Sequence, residues 1–365
     1  MKQKLLRHLS RAGRLAAFAA ALYCFLVSIE LLSRGFEGLG AGFAQGLFAL
    51  TANPVSGLFV GILATAVFQS SSSTTAIVIG LVARGTLGVG QAVPVVIGAN
   101  IGTTVTNSLV SLAHAGRRDE FERAFAASNV LDFFNMLTAA VLWPLEVALQ
   151  PLARASGLLT RLVQGHGGVT FTSPLKLATS PARDAVTTLF GGLAPLVLAV
   201  ALALLLLSMR VMLGSMKKLV GSNVENVVNR HLFARSGRAM LVGLGFTALL
   251  QSSSATTALA VPLVGAGLLT LERFYPYALG ANVGTTVTAW LAALVTGSPA
   301  AVQIAVVHML FNITGVAIWL PLRRLPLALA RRWSGYCARH RGLALAYVVA
   351  AFFVLPLVVV MLLRG

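Results

Sequence analysis

The chain has 365 residues, of which 57% are hydrophobic and only 10% are charged. A soluble globular domain carries about 25% charged residues, so this composition excludes that class and indicates an integral membrane protein. The formal net charge is +18, but the basic residues stand beside apolar segments without an accompanying aromatic platform, which argues against nucleic-acid binding.

Apolar runs and basic clusters predict how the chain crosses the membrane. Residues 15–32, 193–209 and 343–363 form runs that are each close to the roughly 20 residues that a spanning helix needs. Lys and Arg gather beside these runs, and the positive-inside rule assigns such clusters, and with them the N-terminus, to the cytoplasm. The clusters are Lys2, Lys4, Arg7, Arg11 and Arg14; Arg210, Lys217, Lys218, Arg230, Arg235 and Arg238; and Arg323, Arg324, Arg331, Arg332, Arg339 and Arg341.

Two parts of the chain repeat each other in order and spacing. QSSSSTT at 69–75 matches QSSSATT at 251–257, and GANIGTTVTN from Gly98 matches GANVGTTVTA from Gly280. The offset is the same for both motifs, since 251 − 69 and 280 − 98 are both 182. A third block aligns Asn135 of LDFFN with Asn312 of HMLFN after a short deletion. Three matched blocks in one order indicate a duplication.

Placing the basic clusters inside predicts opposite orientations for the two copies, an arrangement that secondary transporters build around a midplane site. The expected fold class is an all-α polytopic membrane protein with two inverted-topology repeats, re-entrant hairpins and interrupted transmembrane helices. The predicted crossings are 15–34, 87–113, 124–149, 191–209, 275–295 and 301–322. The predicted divisions are a cytoplasmic tail and first helix (1–52), repeat 1 (53–149), an external loop (150–190), a linking helix and basic segment (191–239), repeat 2 (240–322), and a basic segment and last helix (323–365).

The polar motifs predict breaks in helices inside the membrane. Consecutive Ser and Thr compete for backbone hydrogen bonds, and the glycines at 98, 102, 280 and 284 disfavour helix. Opened backbone at membrane depth is tolerated only where it is buried in protein or lines a cavity. Amides at a half-helix N-terminus suit an anion, and hydroxyls can donate to a tetrahedral oxyanion. Freed carbonyls and side-chain oxygens suit a hard cation such as Na⁺.

Structural alternatives accompany each of these motifs. Small and hydroxylated residues also allow helices to pack closely, and the Asn and Thr side chains of the GAN motifs could serve interhelical hydrogen bonds instead of an ion. Asp132 is an intramembrane carboxylate and therefore a functional candidate, although a helix cap or an ion pair with Arg123 is the alternative. His308 is expected to be an ordinary hydrogen-bonded histidine. No Ser–His–Asp set or metal-ligand cluster falls within the predicted spans, so an enzyme is not expected.

The doubled QSSS segments, the two GAN motifs, LDFFN and HMLFN resemble the type II sodium-dependent phosphate cotransporter family over most of residues 53–149 and 240–335. The resemblance implies a symporter that imports inorganic phosphate with Na⁺ by alternating access, in a bacterial inner membrane with a cytoplasmic N-terminus. One departure is Leu131, which stands where the family's HDxFN pattern has His. The alternative is a channel-like or carrier pathway for another tetrahedral oxyanion, with proton coupling as an option.

The resemblance also implies the site residues. The expected phosphate-binding residues are Gln69, Ser70, Ser71, Ser72, Gln251, Ser252, Ser253 and Ser254. The expected sodium-binding residues are Gln69, Thr75, Asn100, Thr103, Asp132, Asn135, Gln251, Ser254, Thr257, Asn282, Thr285 and Asn312. No catalytic residue, no cofactor and no metal beyond Na⁺ are expected. The expected partners are inorganic phosphate, Na⁺ and the lipid bilayer, without nucleic acid, and a homodimer is a candidate assembly.

Overall fold

The computed structural model describes residues 2–39, 46, 48, 50, 51, 53–114, 116–163, 174–220, 233 and 235–363. Every regular element within these residues is helical, which confirms the predicted all-α class. The elements up to residue 220 are α1 (Lys2–Leu39), α2 (Pro54–Phe68), α3 (Ser71–Ala83), α4 (Val89–Gly102), α5 (Val105–Leu112), α6 (Arg118–Leu149), α7 (Pro151–Val163), α8 (Pro174–Leu189) and α9 (Ala194–Val220). Arg230 of the second basic cluster and residues 164–173 of the expected external loop lie outside the described residues.

The elements after residue 235 are also helical. They are α10 (Ser236–Leu250), α11 (Ser253–Gly265), α12 (Leu271–Thr296), α13 (Pro299–Trp319), α14 (Arg324–Arg339), α15 (Arg341–Val349), a π-helical turn (Ala350–Val354) and α16 (Leu355–Leu362). Within the described residues, four helical stretches are long and apolar enough to cross a membrane: Val89–Leu112, Arg118–Leu149, Pro299–Trp319 and Gly342–Leu362. The chain is therefore a multi-pass membrane protein.

Both QSSS motifs form the tips of helical hairpins, as predicted. α2 ends at Gln69, whose φ of 53° places it in the left-handed region, and α10 ends in the same way at Gln251 with a φ of 56°. The next residue of each copy, Ser70 or Ser252, is extended and caps the following helix. Because left-handed backbone is disfavoured for residues other than glycine, its recurrence in both copies shows that the two tips share one local geometry.

The glycines of the two GAN motifs, which begin at Gly98 and Gly280, allow neighbouring helices to cross closely. Gly98 of α4 and Gly280 of α12 lie against the carbonyl oxygens of Leu58 and Met240, and a Cβ at either glycine would clash with that backbone. α4 ends after this crossing at Gly102, and α5 begins at Val105, so the predicted interruption is present in the first copy.

The predicted interruption is wrong in the second copy, because α12 runs without a break from Leu271 to Thr296. Its glycines have no side chain at the points where α10 lies against α12. Gly280 faces the carbonyl of Met240, and Gly284 faces the side chain of Thr247. The packing energy of this crossing outweighs the roughly 1 kcal/mol by which each glycine disfavours helix.

The second helix of each hairpin packs against the other repeat. α3 of the first copy lies on α12 and α13, and α11 of the second copy lies on α5 and α6. The two hairpin tips are therefore held inside a core to which both copies contribute. α1 pairs with α9 beside this core.

Two segments that the sequence analysis placed between membrane helices are themselves helical. The expected external loop contains α7, which packs on α13, and α8, which packs on α1. These contacts order the segment as helix rather than open loop, although Leu158, Leu162 and Leu177 stay exposed. The basic segment after residue 322 forms α14, which lies along α6.

Candidate functional site

Gln69 and Gln251 use their side chains to stabilise the hairpin tips. Gln69 Nε2 donates to the carbonyl of Ala66, and Gln251 Nε2 donates to that of Ala248 at 2.7 Å. The bonds satisfy carbonyls that are left without partners where a helix ends. Gln69 is buried and its Oε1 accepts a hydrogen bond from Thr106 Oγ1 at 2.8 Å, whereas Gln251 is half-buried.

The serines of each tip have two different roles. Ser70 Oγ accepts from the backbone N–H of Ser73, and Ser252 Oγ accepts from that of Ala255, each at 3.1 Å. One such cap satisfies only one of the unpaired N–H groups at the start of a helix. The serines that follow the caps are buried: Ser71, Ser72, Ser253 and Ser254. Each tip therefore brings backbone and hydroxyl donors together at the positive end of a helix dipole.

The start of α5 contacts both hairpins. Thr106 donates to Gln69 of the first hairpin. Its neighbour Asn107 donates from Nδ2 to Thr257 Oγ1 of the second hairpin at 2.9 Å. Ser254 Oγ adds a longer contact, 3.4 Å, to the carbonyl of Thr103, which lies in the break before α5. The two tips are thus joined through one short helix whose polar side chains are all buried.

A second buried polar cluster joins α4, α6, α12 and α13. Asn100 Oδ1 accepts from Asn312 Nδ2 at 3.0 Å and lies 3.2 Å from His308 Nε2. Asn135 Nδ2 donates to the Asn100 carbonyl at 2.8 Å, and Asn282 Nδ2 donates to Asn135 Oδ1 at 2.9 Å. The four asparagines predicted as sodium ligands therefore lie together, and His308 is hydrogen-bonded as expected.

Other predicted sodium ligands make no side-chain hydrogen bond to these asparagines within the described part of the chain. Thr103 and Thr285 donate to carbonyls of their own helices, those of Ala99 and Ala281, each at 3.1 Å. Asp132 accepts from Tyr347 OH at 3.3 Å. The expected alternative, an ion pair of Asp132 with Arg123, is not formed, since nine positions of the continuous α6 separate the two residues and Arg123 Nε donates to the Gly265 carbonyl.

Three buried oxygen atoms of the predicted ligands have no hydrogen-bond partner within the described part of the chain: Thr75 Oγ1, Asp132 Oδ1 and Asn312 Oδ1. A buried oxygen atom without a donor is costly unless a cation or an additional donor satisfies it. These atoms are thus the ones best suited to coordinate a cation.

Sequence reasoning missed Thr106, Asn107 and Tyr347 as members of these contacts. A difference between the copies could have indicated Asn107, because the matching position in the second copy is Ala289. Tyr347 carries no such signal, since it lies outside the repeated blocks.

Comparison with known proteins identifies relatives of the chain. The family model described as Na+/Pi-cotransporter matches residues 24–151 and 204–346. Sodium-dependent phosphate transport protein 2A of Rattus norvegicus is 33% identical, over 98% of this chain and 68% of the relative. Sodium-dependent phosphate transport protein 2B of Homo sapiens is 31% identical, over 98% of this chain and 66% of the relative. No solved structure matches the chain significantly. With most of its length matched, the chain belongs to the Na⁺/Pi-cotransporter family, whose members are transporters and not enzymes.

Proposed function

We propose that this chain is a secondary active symporter that imports inorganic phosphate together with Na⁺ by alternating access. The names of its relatives describe sodium-dependent phosphate transport. The observation that supports the proposal most directly is that Thr106 and Asn107, adjacent on α5, contact the two hairpin tips at Gln69 and Thr257. A substrate between the tips would contact both copies, as alternating access requires.

Phosphate suits the donors of the two tips. The first amides of α3 and α11 and the hydroxyls beside them can surround an oxyanion from two sides, and each helix dipole adds a favourable field. Hydroxyl groups rotate to match tetrahedral oxygens. The proposed phosphate-binding residues are Gln69, Ser70, Ser71, Ser72, Gln251, Ser252, Ser253 and Ser254. Ser70 and Ser252 would contribute mainly through backbone, because their Oγ atoms serve as caps.

Sodium suits the oxygen-rich positions around the tips. Na⁺ is a hard cation for which neutral oxygens and a carboxylate are appropriate ligands. The proposed ligands are Gln69, Thr75, Asn100, Thr103, Asp132, Asn135, Gln251, Ser254, Thr257, Asn282, Thr285 and Asn312. Three of them, Thr75, Asp132 and Asn312, carry the buried oxygens described above that accept no hydrogen bond within the described residues.

The proposal includes the inverted orientation of the two copies, with the N-terminus and the basic clusters in the cytoplasm of a bacterial inner membrane. The positive-inside rule supports this orientation. Accessibility of single cysteines introduced at Gly13 and Gly191 to a membrane-impermeant thiol reagent would test it. In a variant of the chain without Cys24 and Cys337, only the cysteine at position 191 should react with the reagent from outside the cell. The expected homodimer is tested by the mass of the purified particle.

The experiment is uptake of ³²P-phosphate into proteoliposomes under an imposed Na⁺, H⁺ or K⁺ gradient. We expect uptake only with Na⁺, and we expect Ser71→Ala and Ser253→Ala to lower it sharply. Ser208→Ala is the matched control, since Ser208 is a buried serine of α9 whose hydroxyl donates to the Leu205 carbonyl of its own helix. Uptake driven by H⁺, or stronger competition by sulfate than by phosphate, would contradict the proposal. Absence of counterflow of labelled against unlabelled phosphate would instead indicate a channel.

A further inference from the structure

Tyr347, on α15, contacts the carboxylate that we propose as a sodium ligand. Its hydroxyl donates to Asp132 Oδ2 at 3.3 Å, and Asp132 has no exposed surface. The other oxygen, Oδ1, accepts no hydrogen bond from the described residues. We propose that Tyr347 is a positioning residue, which fixes one oxygen of Asp132 so that the other can coordinate Na⁺. This inference rests on the proposed function.

The surroundings of Asp132 make a cation the natural partner. A carboxylate removed from water is strongly destabilised unless a positive charge and further hydrogen bonds compensate it. Arg123, the expected alternative partner, lies nine positions away on the same helix and bonds the Gly265 carbonyl instead. A single neutral hydroxyl at 3.3 Å is a long and therefore weak hydrogen bond. It can orient the carboxylate but cannot compensate its charge.

Tyr347 is itself held in place from two sides. Its ring packs edge-on against Trp333 of α14, with 5.3 Å between centroids, and against Phe352 of the π-helical turn, at 5.8 Å. A π turn inside a helix is often associated with a functional site, because the extra residue reorients the side chains next to it. Two aromatic contacts restrict the ring, so the hydroxyl presents a fixed donor to Asp132.

Tyr347 lies outside the two repeats that contribute the proposed ligands. Tyr347 follows the last of the repeated blocks, so the first copy has no counterpart to it. α15 therefore supplies a contact to the core that the duplication does not contain. Through this hydrogen bond, the C-terminal helix would influence how tightly the core binds Na⁺.

The test is Tyr347→Phe in the full chain, reconstituted in proteoliposomes. We expect the Na⁺ concentration for half-maximal phosphate uptake to rise about three- to tenfold, the range that one hydrogen bond contributes. The KM for phosphate at saturating Na⁺ should remain unchanged. Tyr336→Phe is the matched control, because Tyr336 is an exposed tyrosine that packs on the same Trp333. Unchanged or tighter activation by Na⁺ in Tyr347→Phe would overturn the inference.

A second measurement separates this inference from the proposed function. Na⁺ should raise the unfolding temperature of the purified wild-type chain, and Tyr347→Phe should need more Na⁺ for the same shift. In an Asp132→Asn background, Tyr347→Phe should change nothing further, since the carboxylate to be positioned is gone. If the wild-type chain transports phosphate with Na⁺ but Tyr347→Phe has the same Na⁺ dependence as Tyr336→Phe, only the inference is wrong. If the wild-type chain shows no Na⁺-dependent phosphate uptake, the proposed function itself is wrong.

Discussion

Asn107 of the first repeat donates a hydrogen bond from Nδ2 to Thr257 Oγ1 of the second repeat at 2.9 Å. Thr257 Oγ1 lies 2.7 Å from the Ser253 carbonyl of its own helix, to which it can donate its hydrogen. Both side chains are buried. A polar link of this kind couples the second hairpin to the short helix that also contacts the first.

Replacing Thr257 by Val should therefore destabilise the protein by about 1–3 kcal/mol, because the buried amide of Asn107 loses its acceptor. Chemical unfolding of the detergent-purified chain measures this loss. Thr138→Val is the matched control, since the buried Thr138 hydroxyl donates only within its own helix, to the Phe134 carbonyl. Equal stability of the two variants would show that the link between the repeats contributes nothing.

Alanine at Gly98 or Gly280 should prevent the close crossings of α2 with α4 and of α10 with α12. The added Cβ would overlap a backbone carbonyl oxygen that cannot move by a change of rotamer. Overpacking of this kind costs about 1–3 kcal/mol or more, so we expect a lower unfolding temperature and less monodisperse protein.

Gly80→Ala is the control for these variants, because a Cβ at Gly80 would have no atom within 4 Å. Gly80 lies inside α3, where alanine is favoured over glycine by about 1 kcal/mol. We expect this variant to be as stable as the wild type or slightly more stable. A stable Gly98→Ala protein would contradict the described crossing.

Gln69→Gly should separate the backbone role of Gln69 from the role of its side chain. Glycine tolerates the left-handed backbone at this position, but the buried side-chain bonds to Ala66 and Thr106 are lost, so we expect the chain to fold with its stability lowered by about 1–3 kcal/mol. The bond to Thr106 is lost, and we expect phosphate uptake to fall about tenfold or more, equivalent to about 1.4 kcal/mol of barrier. Gln150→Gly is the control, since Gln150 is an exposed glutamine with a φ of 54°. Equal uptake in both variants would remove Gln69 from the site.

Glu146→Ala should destabilise the junction of α6 and α7 without affecting transport. Glu146 is buried, and its carboxylate accepts from the backbone N–H groups of Leu152 and Ala153 at 2.7 and 3.1 Å. Loss of a helix cap costs about 0.5–2 kcal/mol. Asp184→Ala, at an exposed carboxylate paired with Arg183, should stay within about 0.5 kcal/mol of the wild type. A change in the sodium dependence of uptake in Glu146→Ala would contradict a purely structural role.

The hairpin tips could be predicted from sequence because their causes are local. Gln69 and Ser70 end one helix and begin the next through hydrogen bonds to residues within three or four positions. The continuous course of α12 could not be predicted in this way. Its glycines are favourable only because α10 lies against them, and helix propensity does not contain that contact.

The sequence by itself determined the membrane class, the duplication and the composition of the polar motifs, since these depend on hydropathy, spacing and residue type alone. Only the tertiary structure decided which polar atoms meet. It grouped the asparagines of four helices around Asn100 and joined both hairpins to α5. It also gave Asp132 a partner, Tyr347, 215 positions away. The physical reason is that hydrogen bonds between distant segments depend on helix crossings, which arise from packing of the whole chain and leave no periodic signal in any one segment.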